Sequence, residues 1–159
     1  LDDLVNVKAI SKKLSLASYL QDNLKLAISA LKVLDIKYTK ENFKDARLFG
    51  RLSKISPNIY VDVGHNILAS NSILEALKGK KYTLVYNSYK DKNYKAILTI
   101  LKPIIKNIEV IDIDEDRIVD RAILDKTILE LGLSSLDFKE IDNHKDYLVF
   151  GSFSVVENF

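Results

Sequence analysis

Strand-like and helix-like hydrophobic patterns alternate along the chain from residue 59 onward. Apolar, β-branched runs predict strands over residues 59–63, 82–86, 108–113 and 147–150, and a shorter strand over 138–141. Between these runs, apolar residues recur at every third or fourth position and predict helices over about 67–78, 92–105 and 118–131. Because strands and helices alternate, we expect an α/β fold with a mostly parallel sheet and helices on both faces.

The amino-terminal part of the chain has a different pattern. Helical spacing covers residues 15–34, with apolar positions at Leu20, Leu24, Ala27, Ile28, Leu31 and Leu34. Residues 35–50 are polar and irregular, which predicts a connector. We therefore expect a helical segment over residues 1–34 and an α/β domain over residues 35–159.

Composition and charge exclude several classes of protein. An apolar fraction of 47% in 159 residues is enough for the core of one domain. The 24 basic and 22 acidic residues nearly cancel and the lysines are dispersed, so we do not expect nucleic acid as the main partner. The absence of cysteine excludes a disulfide framework, and two histidines, His65 and His144, are too few for a histidine-rich metal cage.

Nothing in the sequence indicates a membrane protein. No apolar run is long enough to cross a bilayer, and no signal peptide precedes the fold, so we expect a cytoplasmic protein. The first residue is Leu1 and not methionine, which suggests a piece of a longer polypeptide.

The spacing of the glycines excludes two kinds of nucleotide site. The five glycines, at positions 50, 64, 79, 132 and 151, are too far apart to form G-x-G-x-x-G or G-x-x-x-x-G-K-[ST]. The chain therefore has neither a dehydrogenase fingerprint nor a Walker phosphate loop. If it binds a nucleotide, it does not cradle the phosphates in either of those ways.

The most informative stretch runs from Ile59 to Asn66. A buried strand that contains one acid, Asp62, is followed by Gly64, His65 and Asn66 just before a helix. Ligands of open α/β sheets bind at this carboxyl end of the strands. Asp62 has two possible roles, a ligand contact or a turn in which the carboxylate accepts bonds from nearby backbone N–H groups.

Further polar residues follow the other predicted strands. Asn87 and Ser88 follow one strand, Ser152 follows another, and Arg51 precedes the first, so these side chains could converge on one crevice. Each also has a structural interpretation, since Asn87 and Ser88 suit a turn, Ser152 suits a helix cap and Arg51 suits solvent. The acidic run at 112–116 lacks the glycine and distal glutamate of a calcium loop, and we expect a solvated loop there.

Taken together, these segments resemble the carboxy-terminal domain of folylpolyglutamate synthase and dihydrofolate synthase, of the Mur ligase superfamily. Residues 49–51 and 56–66 are similar to the family's P-G-R, spacer and D-x-A-H-N-P. Residues 84–93 resemble the family's strand that is followed by an Asp-Lys-Asp turn, and residues 148–153 resemble its closing Gly-Ser motif. Upstream, residues 21–27 resemble the N-x-x-x-A helix at the end of the family's central ATPase domain. The sequence departs from the family at Phe49, Gly64 and Ile67, where the family has Pro, Ala and Pro.

The resemblance implies a Rossmann-like domain of an ATP-dependent amide ligase, with residues 1–34 as the end of the ATPase domain. Such a ligase converts a folate or pteroate carboxylate into an acyl phosphate, which the amine of L-glutamate attacks. ATP and Mg²⁺ would be required, and the amino-terminal P-loop domain with the magnesium ligands would be the missing partner. The fragment alone would be inactive and would bind no cofactor tightly.

The resemblance also assigns roles to residues. Asn23 would meet the adenine, Arg51 would pair with the ribose-phosphate region, and Asp62 would accept from the ribose hydroxyls. His65 would lie near the nucleotide or the incoming glutamate, Asn66 would shape that turn, and Ser152 would help to bind glutamate. No catalytic residue and no metal ligand is assigned within the chain.

Two alternatives remain open on the sequence. The chain could be a free-standing α/β binding or interaction module, or the carboxy-terminal domain of a peptidoglycan-type Mur ligase with a different acceptor. An upstream G-T-x-G-K-[ST] would identify the ligase class. The sequence does not distinguish dihydrofolate synthase from folylpolyglutamate synthase activity.

Overall fold

The structure is a computed structural model that describes residues 2–14, 16–17, 19–46 and 48–159, with side chains described from Val7 onward. The chain forms two compact units, Leu1–Leu48 and Phe49–Phe159. Each unit has its own apolar core. In the described part of the chain, no helix combines the length and the apolar character that crossing a membrane requires.

The first unit is helical. It contains α1 (Asp2–Leu14), α2 (Leu20–Val33) and a short 3₁₀ helix (Lys40–Phe43). Its buried apolar residues are Val7, Ile10, Leu14, Leu24, Ile28 and Phe43. The helical spacing over residues 15–34 predicted α2, and α1 lies within the helical segment expected over residues 1–34.

Phe43 explains why the first compact unit extends beyond residue 34. The ring of Phe43 is 9% exposed and meets the ring of Tyr38 edge-on at 5.6 Å between centroids. Phe43 also packs in the apolar cluster that contains Leu24 and Ile28 of α2. This packing ties the polar segment 35–46, which was expected as part of a connector, to the helices before it. The origin of the first unit, as the end of an ATPase domain, stays a prediction.

The second unit lies wholly within the described residues and is an α/β domain whose six strands form one sheet. The strands are β1 (Ser53–Ser56), β2 (Ile59–Asp62), β3 (Tyr82–Tyr86), β4 (Ile105–Val110), β5 (Ser135–Asp137) and β6 (Tyr147–Phe150). The helices are α3 (Ile67–Leu77), α4 (Tyr94–Leu101), α5 (Arg121–Glu130) and α6 (Phe153–Asn158). The order is β1-β2-β6-β3-β4-β5, and β1 alone is antiparallel to its neighbour.

Helices cover both faces of this sheet, as the sequence pattern predicted. On one face, Val155 of α6 packs with Val61, Val85 and Val149 of the central strands. Alternation along the strands turns Leu84 and Leu148, both fully buried, to the opposite face. The right-handed crossovers from β2 through β5 place α3, α4 and α5 there.

Five parallel strands end in register at one edge of the sheet. Across the sheet, the last residues of neighbouring strands pair with one another in the order Asp62, Phe150, Tyr86, Val110 and Asp137. The segments that follow these residues therefore start side by side. Because β6 lies between β2 and β3, the turn after β6 lies between the other two turns.

The predicted strand boundaries were right for the two central strands, β6 and β3, and differed from the structure elsewhere in the sheet. β3 and β6 match the prediction, whereas β4 begins three residues earlier than the predicted 108 and ends at Val110 instead of residue 113. The apolar residues Ile104 and Ile105 suit both helix and strand, and Pro103 in a 3₁₀ turn separates the two. β5 lies before the predicted 138–141, and β1 was not predicted because it is short and half exposed.

Tyr86 places a hydroxyl in the core without a hydrogen-bond partner among the described residues. Burial raises the pKa of Tyr86 above its ordinary value, although the nearby Ser88 hydroxyl offsets part of the shift. The Ser88 hydroxyl itself donates to the carbonyl of Tyr89, at 3.4 Å. An unsatisfied buried hydroxyl costs about 1–3 kcal/mol.

We therefore expect Tyr86→Phe to raise the free energy of unfolding by about 1 kcal/mol in urea titrations at pH 7. Because the pKa of Tyr86 is higher in the folded state than in the unfolded state, the wild-type protein should lose stability as the pH rises above about 10. The Tyr86→Phe variant has no phenol to ionise at this position and should lose less stability over the same pH range. Tyr147→Phe is the matched control, because the equally buried Tyr147 hydroxyl accepts from the N–H of Asp142 at 3.1 Å and its loss should destabilise. A destabilised Tyr86→Phe would contradict the prediction.

Candidate functional site

The candidate site lies at the carboxyl edge of the sheet, where the turns after β2, β6 and β3 lie next to one another. His65 and Asn66 follow β2, Ser152 follows β6, and Asn87 follows β3. Arg51 lies in the loop before β1, which pairs with β2. The structure thus brings together the residues that the sequence predicted for this edge within the second unit.

Asp62 joins the Arg51 loop to the turn that contains His65. Its Oδ2 accepts from the backbone N–H of Leu52, and its Oδ1 accepts from the N–H of Gly64, each at 2.7 Å. The residue is 2% exposed. Of the two interpretations of Asp62, the carboxylate that caps nearby backbone donors is therefore present in the structure, whereas the contact with ribose stays a prediction.

The Arg51 loop is held on both sides of the arginine. Before it, Gly50 has a φ of 77°, and its carbonyl accepts from the N–H of Val63 at 2.9 Å. After it, Leu52 has a φ of 46°, in the left-handed region that non-glycine residues rarely adopt. Arg51 is half-buried, and its guanidinium forms no hydrogen bond or ion pair with the described residues.

His65 and Asn66 form the turn into α3. The Nδ1 of His65 lies 3.1 Å from the carbonyl oxygen of Val63. Because a carbonyl only accepts, Nδ1 carries the proton in this contact. Asn66 caps α3, since its Oδ1 accepts from the N–H of Ala69 at 2.9 Å.

Gly64 allows this turn to pack closely. A Cβ at this position would lie 2.6 Å from the Cβ of Ala69, 2.8 Å from Oδ1 of Asp62 and 2.9 Å from Cε2 of Phe150. The departure from the family's alanine therefore has a physical reason here. The turn packs against the strand end and the helix start without room for a methyl group.

Ser152 caps α6 and is 5% exposed. Its Oγ accepts from the N–H of Val155 at 3.4 Å, which leaves the hydroxyl hydrogen to donate elsewhere. Gly151 precedes it, and a Cβ there would lie 2.8 Å from the backbone oxygen of Asn87. The structure contains the helix-cap role of Ser152, and its role toward glutamate stays a prediction.

Asn87 and Ser88 anchor the neighbouring turn. The Nδ2 of Asn87 donates to the carbonyl of Ile111 at 2.8 Å, and its Oδ1 accepts from the N–H of Ser88 at 2.8 Å. Both residues are buried. Their polar atoms connect β3 to the segment after β4, which is a structural role, and the turn interpretation of this pair stays a prediction.

Asn23 lies in the other unit. It is exposed and sits in the first turn of α2. Its role toward adenine stays a prediction. No group of three or more histidine or acidic side chains that could hold a metal occurs among the described residues.

The acidic run at 112–116 is an exposed loop apart from Ile113, which packs into the core. It borders a cleft of about 640 Å³ at the ends of β3, β4 and β5, with Asn87, Arg121 and Asp137 on its walls. Sequence reasoning missed this cleft. It also missed the N–H of Leu52 as a partner of Asp62, because no sequence signal marks a backbone donor ten positions away.

The edge combines the imidazole of His65 with the guanidinium of Arg51, which has no hydrogen-bond or ion-pair partner among the described residues. These groups suit the recognition of a polar, anionic ligand. The described residues of this edge form no glycine-rich phosphate cradle.

The chain was compared with protein families, curated proteins and solved structures. No protein-family model matches the sequence, and no curated protein matches it. Among solved structures, the chain is similar to the folylpolyglutamate synthetase of Helicobacter pylori, with 34% identity and a TM-score of 0.74 over 94% of this chain and 41% of that one.

Two further structures share the fold at lower identity. The folylpolyglutamate synthase of Thermotoga maritima has 21% identity and a TM-score of 0.74, over 87% of this chain and 37% of that one. The bifunctional folylpolyglutamate synthase/dihydrofolate synthase of Yersinia pestis, complexed with AMPPNP and Mn ion, has 19% identity and a TM-score of 0.68, over 82% and 36%. The chain thus spans about two fifths of the length of these enzymes, or less.

Proposed function

The chain resembles the carboxy-terminal domain of folylpolyglutamate synthases, and on this premise we propose that it is that domain of an ATP-dependent amide ligase. The ligase would add L-glutamate to dihydropteroate, to a folate, or to both, in the cytoplasm. This chain would contribute contacts to ATP and to glutamate. A P-loop domain, as the partner, would contribute the phosphate cradle that the glycine spacing rules out here.

The chemistry proceeds in two steps. The substrate carboxylate attacks the γ-phosphorus of ATP, which gives an acyl phosphate and ADP. The amine of glutamate then attacks the acyl carbon, loses a proton and expels phosphate, which leaves an amide. Both steps depend on positioned reactants and on neutralised phosphate charge. The described residues do not form a Mg²⁺ site, so its ligands would belong to the partner domain.

The arrangement around Asp62 is the observation that carries the proposal. Its side chain and backbone bond to Leu52, Gly64 and Gly151, each of which is adjacent to a residue with a proposed role. Arg51 would pair with the ribose-phosphate region, and His65 with the nucleotide or the glutamate. Three motifs that are distant in the sequence therefore meet at one strand end.

The remaining roles follow the resemblance. Asn23 would contact adenine, and for Asp62 the resemblance implies a contact with the ribose hydroxyls. Asn66 would shape the turn beside the glutamate, and Ser152 would donate its remaining hydroxyl hydrogen to it. For the Yersinia pestis enzyme, the bound AMPPNP and Mn ion support the use of a nucleotide and a metal by this type of protein.

The test is to express the complete reading frame that encodes this chain. Its product should incorporate labelled L-glutamate into dihydropteroate or tetrahydrofolate in the presence of ATP and Mg²⁺. A product without a phosphate loop that forms no amide would overturn the ligase proposal and favour a free-standing binding module. Activity on a peptidoglycan precursor, and not on a pteroate or folate, would favour the other Mur ligase branch.

The isolated 159-residue chain should neither hydrolyse ATP nor form an amide. The reason is that no phosphate cradle can be assembled from its glycines. Phosphate release and labelled-glutamate incorporation, each measured with Mg²⁺, check this expectation. ATP turnover that copurifies with the chain, and that persists at constant specific activity through successive columns, would contradict it.

Ser152→Ala in the complete ligase should raise KM for glutamate about fivefold, since one neutral hydrogen bond contributes about 1 kcal/mol. KM for ATP should change less. Ser154→Ala is the control, because that hydroxyl contacts Tyr89 at 2.9 Å and has no proposed role with a substrate. Equal losses for both substrates, or a loss confined to ATP, would remove the glutamate assignment.

A further inference from the structure

We propose that Asp62 is a positioning residue whose carboxylate fixes the loop that carries Arg51, and that it acts on ATP through Arg51 and not through the ribose. This inference rests on the proposed function, since it takes Arg51 as a contact of the nucleotide. It replaces the direct contact between Asp62 and the ribose hydroxyls that the resemblance implies.

The hydrogen bonds of the carboxylate are the first argument. Oδ2 accepts from Leu52, which directly follows Arg51, and Oδ1 accepts from Gly64, which directly precedes His65. Both distances are 2.7 Å, in the range of bonds to a charged acceptor. The same side chain therefore fixes the backbone next to both candidate ligand residues.

Burial is the second argument. With 2% of its surface exposed, Asp62 offers a sugar hydroxyl almost no room to approach. Arg51, by contrast, is half-buried and has a guanidinium that no described residue engages. A ligand at this edge would reach Arg51 without any rearrangement of the loop, whereas contact with Asp62 would require one.

The backbone of the loop is the third argument. Leu52 has a φ of 46°, which a leucine rarely adopts unless the surrounding structure holds it there. Its bond to Asp62 holds one side of the loop. On the other side, the carbonyl of Gly50 accepts from Val63, and the N–H of Gly50 donates to Oγ of Ser53 at 3.1 Å. Without the carboxylate, Leu52 is free to relax and Arg51 to move.

The first experiment uses Asp62→Asn in the complete ligase. The asparagine side chain has nearly the size of aspartate but only one acceptor oxygen. Its NH₂ group would face one of the two backbone N–H groups, of Leu52 or Gly64, and two donors cannot bond to each other. One of these two backbone bonds is therefore lost. We expect kcat/KM for ATP to fall about tenfold, in line with the loss of one hydrogen bond to a charged group. In the Arg51→Ala background, Asp62→Asn should cause no further loss, because the residue it positions is gone. A merely destabilised enzyme would instead lose kcat for every substrate.

Ribose analogues separate positioning from contact. The preference of the enzyme for ATP over 2′-deoxy-ATP and over 3′-deoxy-ATP should be the same in Asp62→Asn and in the wild type. If Asp62 accepts from a ribose hydroxyl, the variant should lose the preference against the analogue that lacks that hydroxyl. That outcome would overturn the inference and support the direct contact.

Hydrogen exchange on the 159-residue chain tests the structural part. In Asp62→Asn, whichever backbone amide loses its acceptor, that of Leu52 or that of Gly64, should exchange at least about tenfold faster. The exchange rate of the Val85 amide in the central strand β3 should not change. Asp120→Asn is the matched control, since Asp120 caps α5 through the N–H of Ala122 at 2.9 Å. It should leave the Leu52 amide and the ATP kinetics unchanged.

A second variant tests the inference even if Asp62→Asn does not fold. Ser53→Ala removes the Oγ that accepts from Gly50 and loosens the loop without touching Asp62. It should also lower kcat/KM for ATP, with no further loss in the Arg51→Ala background. If Asp62→Asn or Ser53→Ala lowers kcat/KM for ATP by the same factor with and without Arg51→Ala, the inference alone is overturned. If Arg51→Ala by itself leaves kcat/KM for ATP unchanged, the proposed role of this edge in binding ATP is overturned.

Discussion

Arg51→Ala is expected to lower kcat/KM for ATP about ten- to a hundredfold in the complete ligase. The guanidinium has no hydrogen-bond or ion-pair partner among the described residues and is held on a fixed loop, so its donors are available for the ribose-phosphate region. Losing one charge-assisted bond costs about 1.5–3 kcal/mol, which corresponds to this range. Steady-state kinetics with ATP varied at saturating glutamate measure the effect.

Two variants control for charge and for shape. Lys54→Ala removes a cation from the same hairpin, where the exposed ammonium lies 5.6 Å from the ring centroid of Tyr60, and should leave the ATP kinetics unchanged. Arg51→Lys keeps the charge but loses the planar fork of donors, so we expect an intermediate loss. Equal effects of Arg51→Ala and Lys54→Ala would reduce the role of Arg51 to general electrostatics.

Gly64→Ala is expected to lower the free energy of unfolding of the 159-residue chain by about 1–3 kcal/mol, the usual cost of forcing a methyl group into a packed site. The new Cβ would meet three neighbours at less than 3.0 Å, the nearest being Ala69 Cβ at 2.6 Å. It would also press on the Asp62 oxygen that accepts from the N–H of Gly64. Urea unfolding followed by circular dichroism measures the change.

A double-mutant cycle identifies the cause. Ala69→Gly removes the nearest atom, so its combination with Gly64→Ala should lose less stability than the sum of the two single changes. Additive losses would mean that the clash with Ala69 is not the cause. A neutral Gly64→Ala would show that the turn relaxes to accommodate the alanine that the family has here.

The central elements of the fold could be predicted because their signals are local. Every residue of β3 and β6 is buried, and all of them except Thr83 are apolar, which is the pattern of a strand buried on both faces. β1 has the burial pattern of a half-exposed hairpin edge, and Lys54 and Ile55 on it are exposed. Only its pairing with β2 makes it a strand, so no local signal for it exists in the sequence.

The candidate site was predicted in part for the same reason. Polar residues after strands identified His65, Asn66, Asn87 and Ser152, because the carboxyl ends of parallel strands share one edge. The pattern left two roles open for Asp62. The structure contains its bonds to Leu52 and Gly64, and only the first of these partners is distant in the sequence.

By itself, the sequence determined the α/β class, the absence of a phosphate loop and the family that the chain resembles. These depend on periodicity, glycine spacing and motif order, which are properties of the chain alone. Only the tertiary structure decided that β6 lies between β2 and β3 and that the compact helical unit extends past Phe43. It also decided that Asp62 accepts from Leu52, because a backbone N–H carries no residue-specific signal and acquires a partner only when the chain folds.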